Sequence, residues 1–130
     1  MITIAIEAAL EAGKYLKANV GNIKNIERKI GQETNLVTEI DKHSESMIIK
    51  KIHDHFPSHA ILGEESGADD NRSEYRWIID PLDGTTNYTH GLPIYSVTIG
   101  IEHKGEIVAG VIYDPNSEEL FTAEKGKGAF

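Results

Sequence analysis

Apolar residues recur every three or four positions along the start of the chain, the spacing typical of an amphipathic helix. The set is Ile2, Ile6, Ala9, Leu10, Gly13, Leu16 and Val20. Gly21 and Asn22 follow directly and predict the end of this helix. Residues 23–30 place isoleucines among charged side chains, a pattern that favours neither helix nor strand. The chain is therefore expected to open with one helix of about five turns.

A second helical pattern follows the polar residues 31–35, which predict a loop. It begins near residues 38–41, carries apolar residues at positions 47, 48, 52 and 56, and is expected to end at Pro57. Thr38 and Asp41 stand at its start with the spacing of a capping box, which favours a role for Asp41 in binding backbone N–H groups.

Runs rich in β-branched and aromatic residues dominate the rest of the chain. Short apolar runs at residues 60–62 and 77–79 are typical of buried strands. Three more runs, at 94–101, 107–113 and 120–123, are separated by turn residues and predict an antiparallel meander. Residues 67–73 are expected to form a flexible surface loop, whereas Trp77, Tyr88 and Tyr95 are expected to pack in the interior.

The segment after residue 79 carries the most chemistry, and it reads Asp80-Pro81-Leu82-Asp83-Gly84-Thr85-Thr86-Asn87. Carboxylates that converge on one point suit a hard cation such as Mg²⁺, which prefers oxygen ligands. Pro81 fixes one φ angle and would help to hold Asp80 and Asp83 in a defined turn. Gly84 permits close backbone approach, and free N–H groups where a helix begins would point at an anion. An ordinary turn with the same residues is the alternative reading.

A second acidic pair favours the metal site over the ordinary turn. Glu64 and Glu65 follow the apolar run at residues 60–62, as Asp80 follows the run at residues 77–79. Adjacent strand residues point to opposite faces, so only one of the two glutamates can face a given site. Strand ends that meet at one edge of a sheet commonly build binding sites. No lysine or arginine lies within the aspartate segment to neutralise its charge.

Three segments together resemble the inositol monophosphatase family of Mg²⁺-dependent, lithium-sensitive sugar-phosphate phosphatases. They are Val37-Thr38-Glu39-Ile40-Asp41, Gly63-Glu64-Glu65-Ser66 and the segment from Trp77 to Asn87; Gly126-Lys127-Gly128-Ala129-Phe130 matches a further stretch. The resemblance implies an α+β fold, with paired helices layered against a largely antiparallel sheet. It also implies that residues 1–130 correspond to the amino-terminal half of such an enzyme, with the carboxy-terminal half absent.

The resemblance also implies roles for individual residues. Glu64, Asp80, Asp83 and the Leu82 carbonyl would bind Mg²⁺. Asp41 and Thr85 would be the catalytic pair that helps to activate water. The phosphate would lie against Leu82, Asp83, Gly84 and Thr85, with the N–H groups of Gly84 and Thr85 as donors.

Several substrates and functions stay open at this point. Inositol monophosphate leads, and fructose 1,6-bisphosphate or another sugar or nucleotide phosphate is the alternative. An inactive fragment that binds metal and phosphate is also compatible with the sequence. A calcium-binding structural domain is less favoured, because the alternating ligands of an EF-hand loop are missing.

The composition limits the binding partners and the cellular compartment that the sequence favours. The net charge of -8 argues against binding to a nucleic-acid backbone. No apolar run is long enough to span a membrane, and there are no cysteines for a disulfide framework. These features favour a cytoplasmic protein, and the family resemblance implies a homodimer. The six histidines are expected to be bystanders: His53 and His55, for example, cannot share one helical face as zinc ligands would.

Overall fold

The structure, a computed structural model, describes residues 1–25, 32–63, 67–68 and 72–130, except the side chains of residues 21–25, 32–38 and 68. Helices come first and strands follow. The order is α1 (Ile2–Asn25), α2 (Gln32–His55), β1 (Ala60–Gly63), β2 (Gly67–Ala68), β3 (Tyr75–Asp83), α3 (Thr85–Thr89), β4 (Ser96–His103), β5 (Glu106–Asp114), β6 (Glu119–Glu124) and β7 (Gly128–Ala129).

The strands form a 7-stranded sheet in the order β2-β1-β3-β4-β5-β6-β7. Its strand pairs are antiparallel except β1 and β3, which run parallel. The predicted meander is confirmed as β4, β5 and β6, and Lys104 and Gly105 form its first turn with φ angles of 51° and 82°. Positive φ at both central residues defines the type I′ hairpin turn, whose twist matches that of the strands. The predicted α+β fold with a largely antiparallel sheet is confirmed.

Both long helices pack on one face of the sheet, α1 over β4 and β5 and α2 over β3. The core alternates along the strands: Trp77 and Ile79 of β3, and Val97, Ile99 and Ile101 of β4, are almost fully buried. The helices contribute buried alanines, leucine and isoleucines to the same cluster. The expected interior positions of Trp77, Tyr88 and Tyr95 are confirmed, with at most 4% of each exposed.

The opposite face of the sheet is apolar and open to solvent. Gly100 and Gly110 are directly paired across β4 and β5, so a shallow floor without side chains runs through its middle. Ile112 and Phe121, which are paired across β5 and β6, stand beside this floor and are 45% and 50% exposed. Together with Phe130 they line a groove of about 520 Å³.

Both predicted helix boundaries near residues 21–41 are wrong. Helix α1 continues through Gly21 and Asn22 to Asn25, because glycine inside a helix costs only about 1 kcal/mol relative to alanine. Helix α2 begins at Gln32 rather than near residues 38–41, so residues 32–35 are helical and not part of a loop. Glutamine and glutamate are good helix formers, which explains the earlier start. Residues 26–31 lie outside the described part.

The predicted loop at residues 67–73 also contains regular structure. Gly67 and Ala68 form β2, which pairs with Gly63 and Leu62 of β1. Gly67 has a φ of 69°, a conformation that glycine adopts without strain. Residues 69–71 lie outside the described part. The prediction of a loop is therefore wrong for the segment that adds an edge strand to the sheet.

Candidate active site

The parallel pairing of β1 and β3 brings two chain segments to one edge of the sheet. Gly63 is the Cα partner of Ile79 in this register. Asp80 follows Ile79, and Glu64 follows Gly63 in the sequence but lies outside the described residues. The expectation that the two strand ends meet at the same edge is confirmed, and the position of the Glu64 carboxylate stays a prediction.

The aspartate segment is a bulged strand rather than the expected turn. Asp80 is paired with Thr98 of β4 and Asp83 with Ser96, so three steps along β3 correspond to two along β4. The extra residue interrupts the ladder where Pro81, which has no N–H group, could not have contributed to it. Pro81 and Leu82 are buried, whereas Asp83 is exposed. The turn was predicted wrongly because the strand pairs on both sides of the proline.

Gly84 ends the strand in a conformation that only glycine adopts easily. Its φ and ψ are 92° and 39°, and it occupies the N-cap position of α3. A Cβ atom at this position would lie 2.9 Å from the carbonyl oxygen of Ile94 and 3.2 Å from the Cα of Tyr95. The close backbone approach expected at Gly84 is thus observed, and its partner is the segment before β4.

The short helix α3 is anchored to the rest of the fold by Tyr88. The Tyr88 hydroxyl donates a hydrogen bond of 2.8 Å to the Leu16 carbonyl of α1, and both residues are fully buried. Burial raises the pKa of Tyr88, so this hydroxyl stays protonated as a donor. The ring contacts Tyr95 edge to face, with centroids 4.8 Å apart. Thr85, at the exposed start of the same helix, is therefore held on a rigid support.

The hydrogen bond of Thr85 stays within its own segment. Its hydroxyl donates to the Leu82 carbonyl over 3.3 Å. This carbonyl has two lone pairs, so it can accept that bond and still offer one lone pair to a cation. Thr85 is therefore joined to Leu82 by a hydrogen bond, and its pairing with Asp41 stays a prediction.

Asp41 lies in the interior of α2, nine residues after its first residue Gln32. The interpretation of Asp41 as a helix cap is therefore wrong, because the helix starts earlier. Its side chain is 5% exposed, and Ser44 and Glu45 on the next turn are also buried. Helix α2 packs against β3 and α3. Asp41 thus lies on the buried face of α2, which contacts α1 as well as β3 and α3.

Ser44 connects that helix face directly to the aspartate segment. Its hydroxyl donates a buried hydrogen bond of 3.2 Å to the Pro81 carbonyl. Ser44 was not among the residues predicted from the sequence. The available signal was its position three residues after Asp41, which places both on one side of a helix.

The oxygen atoms of the segment suit a cation. The Oδ1 atom of Asp80 is buried, and it has no hydrogen-bond partner among the described residues. No lysine, arginine or histidine in the described ranges forms an ion pair with Asp80 or Asp83. A buried carboxylate oxygen without a partner is costly unless a cation binds it. Within the same ranges no three acidic, histidine or cysteine side chains form a metal-binding group, but Glu64 is not among the residues searched.

His59 packs in the core of the fold. His59 is buried, and its Nδ1 accepts a hydrogen bond of 2.9 Å from Trp77 Nε1. Its ring stacks between Phe56 and Tyr75, with centroids 4.7 and 4.8 Å away. Burial, with smaller contributions from the N-terminal charge and His53, lowers the pKa of His59. His59 is therefore a neutral core residue.

The two helices on a bulged, mostly antiparallel sheet, with acidic residues at one sheet edge, define a phosphatase fold of known type. The family model described as "Inositol monophosphatase family" matches residues 1–130. The chain belongs to the inositol monophosphatase family, as its motifs indicated.

Individual relatives agree with this assignment. The chain is 40% identical over 131 residues to an inositol-1-monophosphatase of Mesorhizobium japonicum, covering 100% of this chain and 49% of the relative. It is 44% identical over 131 residues to a fructose-1,6-bisphosphatase/inositol-1-monophosphatase of Aquifex aeolicus, covering 99% and 49%. The crystal structure of the extragenic suppressor protein suhB from Bartonella henselae superposes with a TM-score of 0.87 at 39% identity, covering 99% of this chain and 50% of that one.

The chain spans about half the length of the curated relatives that it matches. The aspartate segment, α2 and the sheet all lie within the matched part. Among the residues that the structure describes, no helix is both long and apolar enough to cross a membrane.

Proposed function

We propose that this chain is the part of a Mg²⁺-dependent phosphatase that binds the metal and the phosphate group of a phosphate monoester. The observation that carries the proposal is the buried, unpartnered Oδ1 of Asp80 beside the register that aligns Gly63 with Ile79. That register aligns Gly63, the last residue of β1, with the residue before Asp80, and we expect the carboxylate of Glu64 to lie near Asp80 at this edge of the sheet. Membership of the inositol monophosphatase family supports the same chemistry.

The proposed Mg²⁺ ligands are the carboxylates of Glu64, Asp80 and Asp83 and the Leu82 carbonyl. Two carboxylates about 4 Å apart repel by roughly 4 kcal/mol at an effective dielectric near 20, so a cluster of three needs a compensating charge. When bound, Mg²⁺ would polarise a phosphate oxygen and lower the pKa of a bound water. Asp83, which is exposed at the end of β3, is the member that an incoming ion reaches from solvent.

Asp41 and Thr85 would handle the proton of the attacking water. A threonine hydroxyl can both donate and accept hydrogen bonds. It can therefore accept a hydrogen bond from water while it donates one to a carboxylate. Thr85 now donates to Leu82, and a rotation of its side chain would release the hydroxyl for Asp41. Burial of Asp41 on α2 keeps that carboxylate in a fixed place. The attack on phosphorus would be direct, without a covalent intermediate on the protein.

The backbone after the strand would hold the phosphate. Leu82 and Asp83 lead into Gly84, and the N–H groups of Gly84 and Thr85 would donate to phosphate oxygens. The left-handed conformation of Gly84 turns the chain sharply at this point. Because that conformation and the contact with Ile94 both demand glycine, the turn is set before any ligand binds.

Inositol monophosphate is the substrate we propose first. The name of the Aquifex aeolicus relative joins fructose-1,6-bisphosphatase with inositol-1-monophosphatase activity, and this favours fructose 1,6-bisphosphate as the second candidate. In a protein of full family length, the further chain would add another aspartate ligand and contacts to the sugar hydroxyls. We also propose that the protein is sensitive to lithium, lies in the cytoplasm and forms a homodimer.

The catalytic assignment is tested in the full-length protein with Thr85→Ala. Turnover of inositol monophosphate should fall by about 10²-fold or more, with metal binding nearly intact, because a proton relay has been removed. Thr89→Ala is the matched control, since Thr89 lies on the same short helix and its hydroxyl donates only to the Thr85 carbonyl, over 2.8 Å. The control should keep turnover within about twofold, as expected of a group outside the reaction. Near-normal turnover in Thr85→Ala would refute the role of the Asp41–Thr85 pair.

A further inference from the structure

The hydroxyl of Ser44 forms a direct hydrogen bond from α2 to the aspartate segment. Ser44 is 0% exposed, and its Oγ donates to the Pro81 carbonyl over 3.2 Å. Pro81 belongs with the fully buried side chains of the chain. A hydrogen bond in such a place is protected from competition with water, so it holds one geometry.

The acceptor of this bond lies where the sheet does not fix the backbone. Asp80 and Asp83 are paired with β4, but the register shifts between them. The carbonyl of Pro81 falls inside that interval and accepts its hydrogen bond from Ser44 instead. At a bulge, a bond from outside the sheet decides how the displaced residues are oriented.

The donor of this bond lies beside the proposed catalytic carboxylate. Ser44 follows Asp41 by three residues on α2, so the two side chains lie on one side of the helix, one turn apart. Both are buried. A displacement of Ser44 relative to Pro81 would therefore move Asp41 relative to Asp80 and Asp83 by a similar amount.

We propose that Ser44 is a positioning residue that sets the distance between the Asp41 carboxylate on α2 and the metal-binding aspartates on β3. The inference rests on the proposed function, because it assigns that distance a catalytic purpose. Ser44 contacts neither substrate nor metal. It acts through the Pro81 carbonyl, and catalysis is sensitive to displacements of about 1 Å in such constellations.

The test compares Ser44→Ala with Ser73→Ala in the full-length protein. Ser73 is a matched control, since its hydroxyl also bonds backbone on β3, accepting the N–H of Tyr75 over 3.1 Å at the opposite end of the strand. Ser44→Ala should lower kcat about tenfold and change KM less than twofold, because alignment and not binding is lost. Half of the metal-induced rise in melting temperature should also require an about threefold higher Mg²⁺ concentration, because the bulge that carries the aspartates is disturbed. Ser73→Ala should leave these quantities at wild-type values.

A second variant covers the case in which Ser44→Ala does not fold. Ser44→Cys replaces oxygen by the larger sulfur but leaves no cavity and keeps a weak donor, so it should fold and show the same split between kcat and KM at smaller size. A Ser44 variant that loses melting temperature but keeps kcat, KM and the Mg²⁺ midpoint would overturn the proposal, because Ser44 would then be structural only. A wild-type protein with a normal Mg²⁺ response but no phosphate release would instead overturn the proposed function.

Discussion

Gly84 combines two constraints that any side chain would violate. Its φ of 92° is left-handed, and a Cβ would meet the Ile94 carbonyl oxygen at 2.9 Å. Gly105 shares the first constraint, with a φ of 82°, but a Cβ there would meet nothing within 4 Å. A comparison of Gly84 with Gly105 therefore separates the free-energy cost of an unusual backbone conformation from that of a steric overlap.

Gly84→Ala should destabilise the fold clearly more than Gly105→Ala. The conformation alone costs roughly 1–2 kcal/mol, and the forced shift of the Ile94 backbone should add about 1–3 kcal/mol at Gly84. Urea unfolding of the two variants measures both costs. Equal losses of unfolding free energy at the two positions would show that the contact with Ile94 does not constrain Gly84.

The sequence alone made Asp80, Asp83 and Gly84 candidate site residues, because they lie within five positions of one another in the chain. It could not place Asp41, since that required the true start of α2, and Gln32 and Glu33 read equally well as loop or helix. Ser44 escaped notice because a serine at a helix position carries no signal until its partner across the fold is known. The sequence therefore predicts groups that are neighbours in the chain better than groups that meet across it.

The elements around the site are joined by Tyr88 of α3 and by Tyr95, which directly precedes β4. Tyr88 bonds the Leu16 carbonyl over 2.8 Å, while the hydroxyl of Tyr95 reaches Asn116 Oδ1 at 3.5 Å, the limit of a hydrogen bond. Asn116 is itself held by Asp114, whose Oδ1 accepts the Asn116 N–H over 2.9 Å. The shorter hydrogen bond of Tyr88 predicts that its hydroxyl contributes more to the free energy of unfolding than the hydroxyl of Tyr95.

Tyr88→Phe should lower stability by about 1 kcal/mol, and Tyr95→Phe by less than half of that. The cost at Tyr88 stays moderate because the Leu16 carbonyl lies within α1 and keeps its place in the helical ladder. On melting, about 1 kcal/mol corresponds to roughly 4 °C for a domain of this size. A larger loss from Tyr95→Phe would contradict the hydrogen-bond lengths in the structure.

Strands were more predictable than helix ends. Alternating burial along β4 follows from alternation in its sequence, and the turn at Lys104 and Gly105 follows from glycine. The bulge in β3 was not predictable, because Pro81 indicated a turn and only the pairing of Asp83 with Ser96 shows that the strand resumes. The pairing between strands, and not the local sequence pattern, thus determines that β3 continues past Pro81.

At the scale of the whole molecule, the described residues cover one face of the sheet and leave the other face uncovered. Helices α1 and α2 cover the first, and the second presents Ile112, Phe121 and Phe130 around a glycine floor. Uncovered apolar surface of this kind drives association. In a protein of full family length, we expect the further chain to cover this face.

The 130-residue chain by itself should therefore self-associate, and it should hydrolyse inositol monophosphate little or not at all. Phe121→Glu should reduce the association by placing a charge beside Ile112. Leu92→Glu is the control, since Leu92 is also an exposed apolar residue, at 48%, but it does not line the groove. Size-exclusion chromatography with light scattering reports the mass, beside a phosphate-release assay. A clean monomer with full activity would show that residues 1–130 form a complete enzyme.

Whether the aspartate segment binds Mg²⁺ can be measured by following the melting temperature during a metal titration. Mg²⁺ raised through the millimolar range should increase the melting temperature of the wild-type chain, because the ion relieves repulsion between clustered carboxylates and binds the folded state. Asp83→Asn should abolish most of that rise. Asp54→Asn, which removes only a surface ion pair with Lys50, should retain it. The same rise in wild type and Asp83→Asn would remove Asp83 from the metal site and contradict the account.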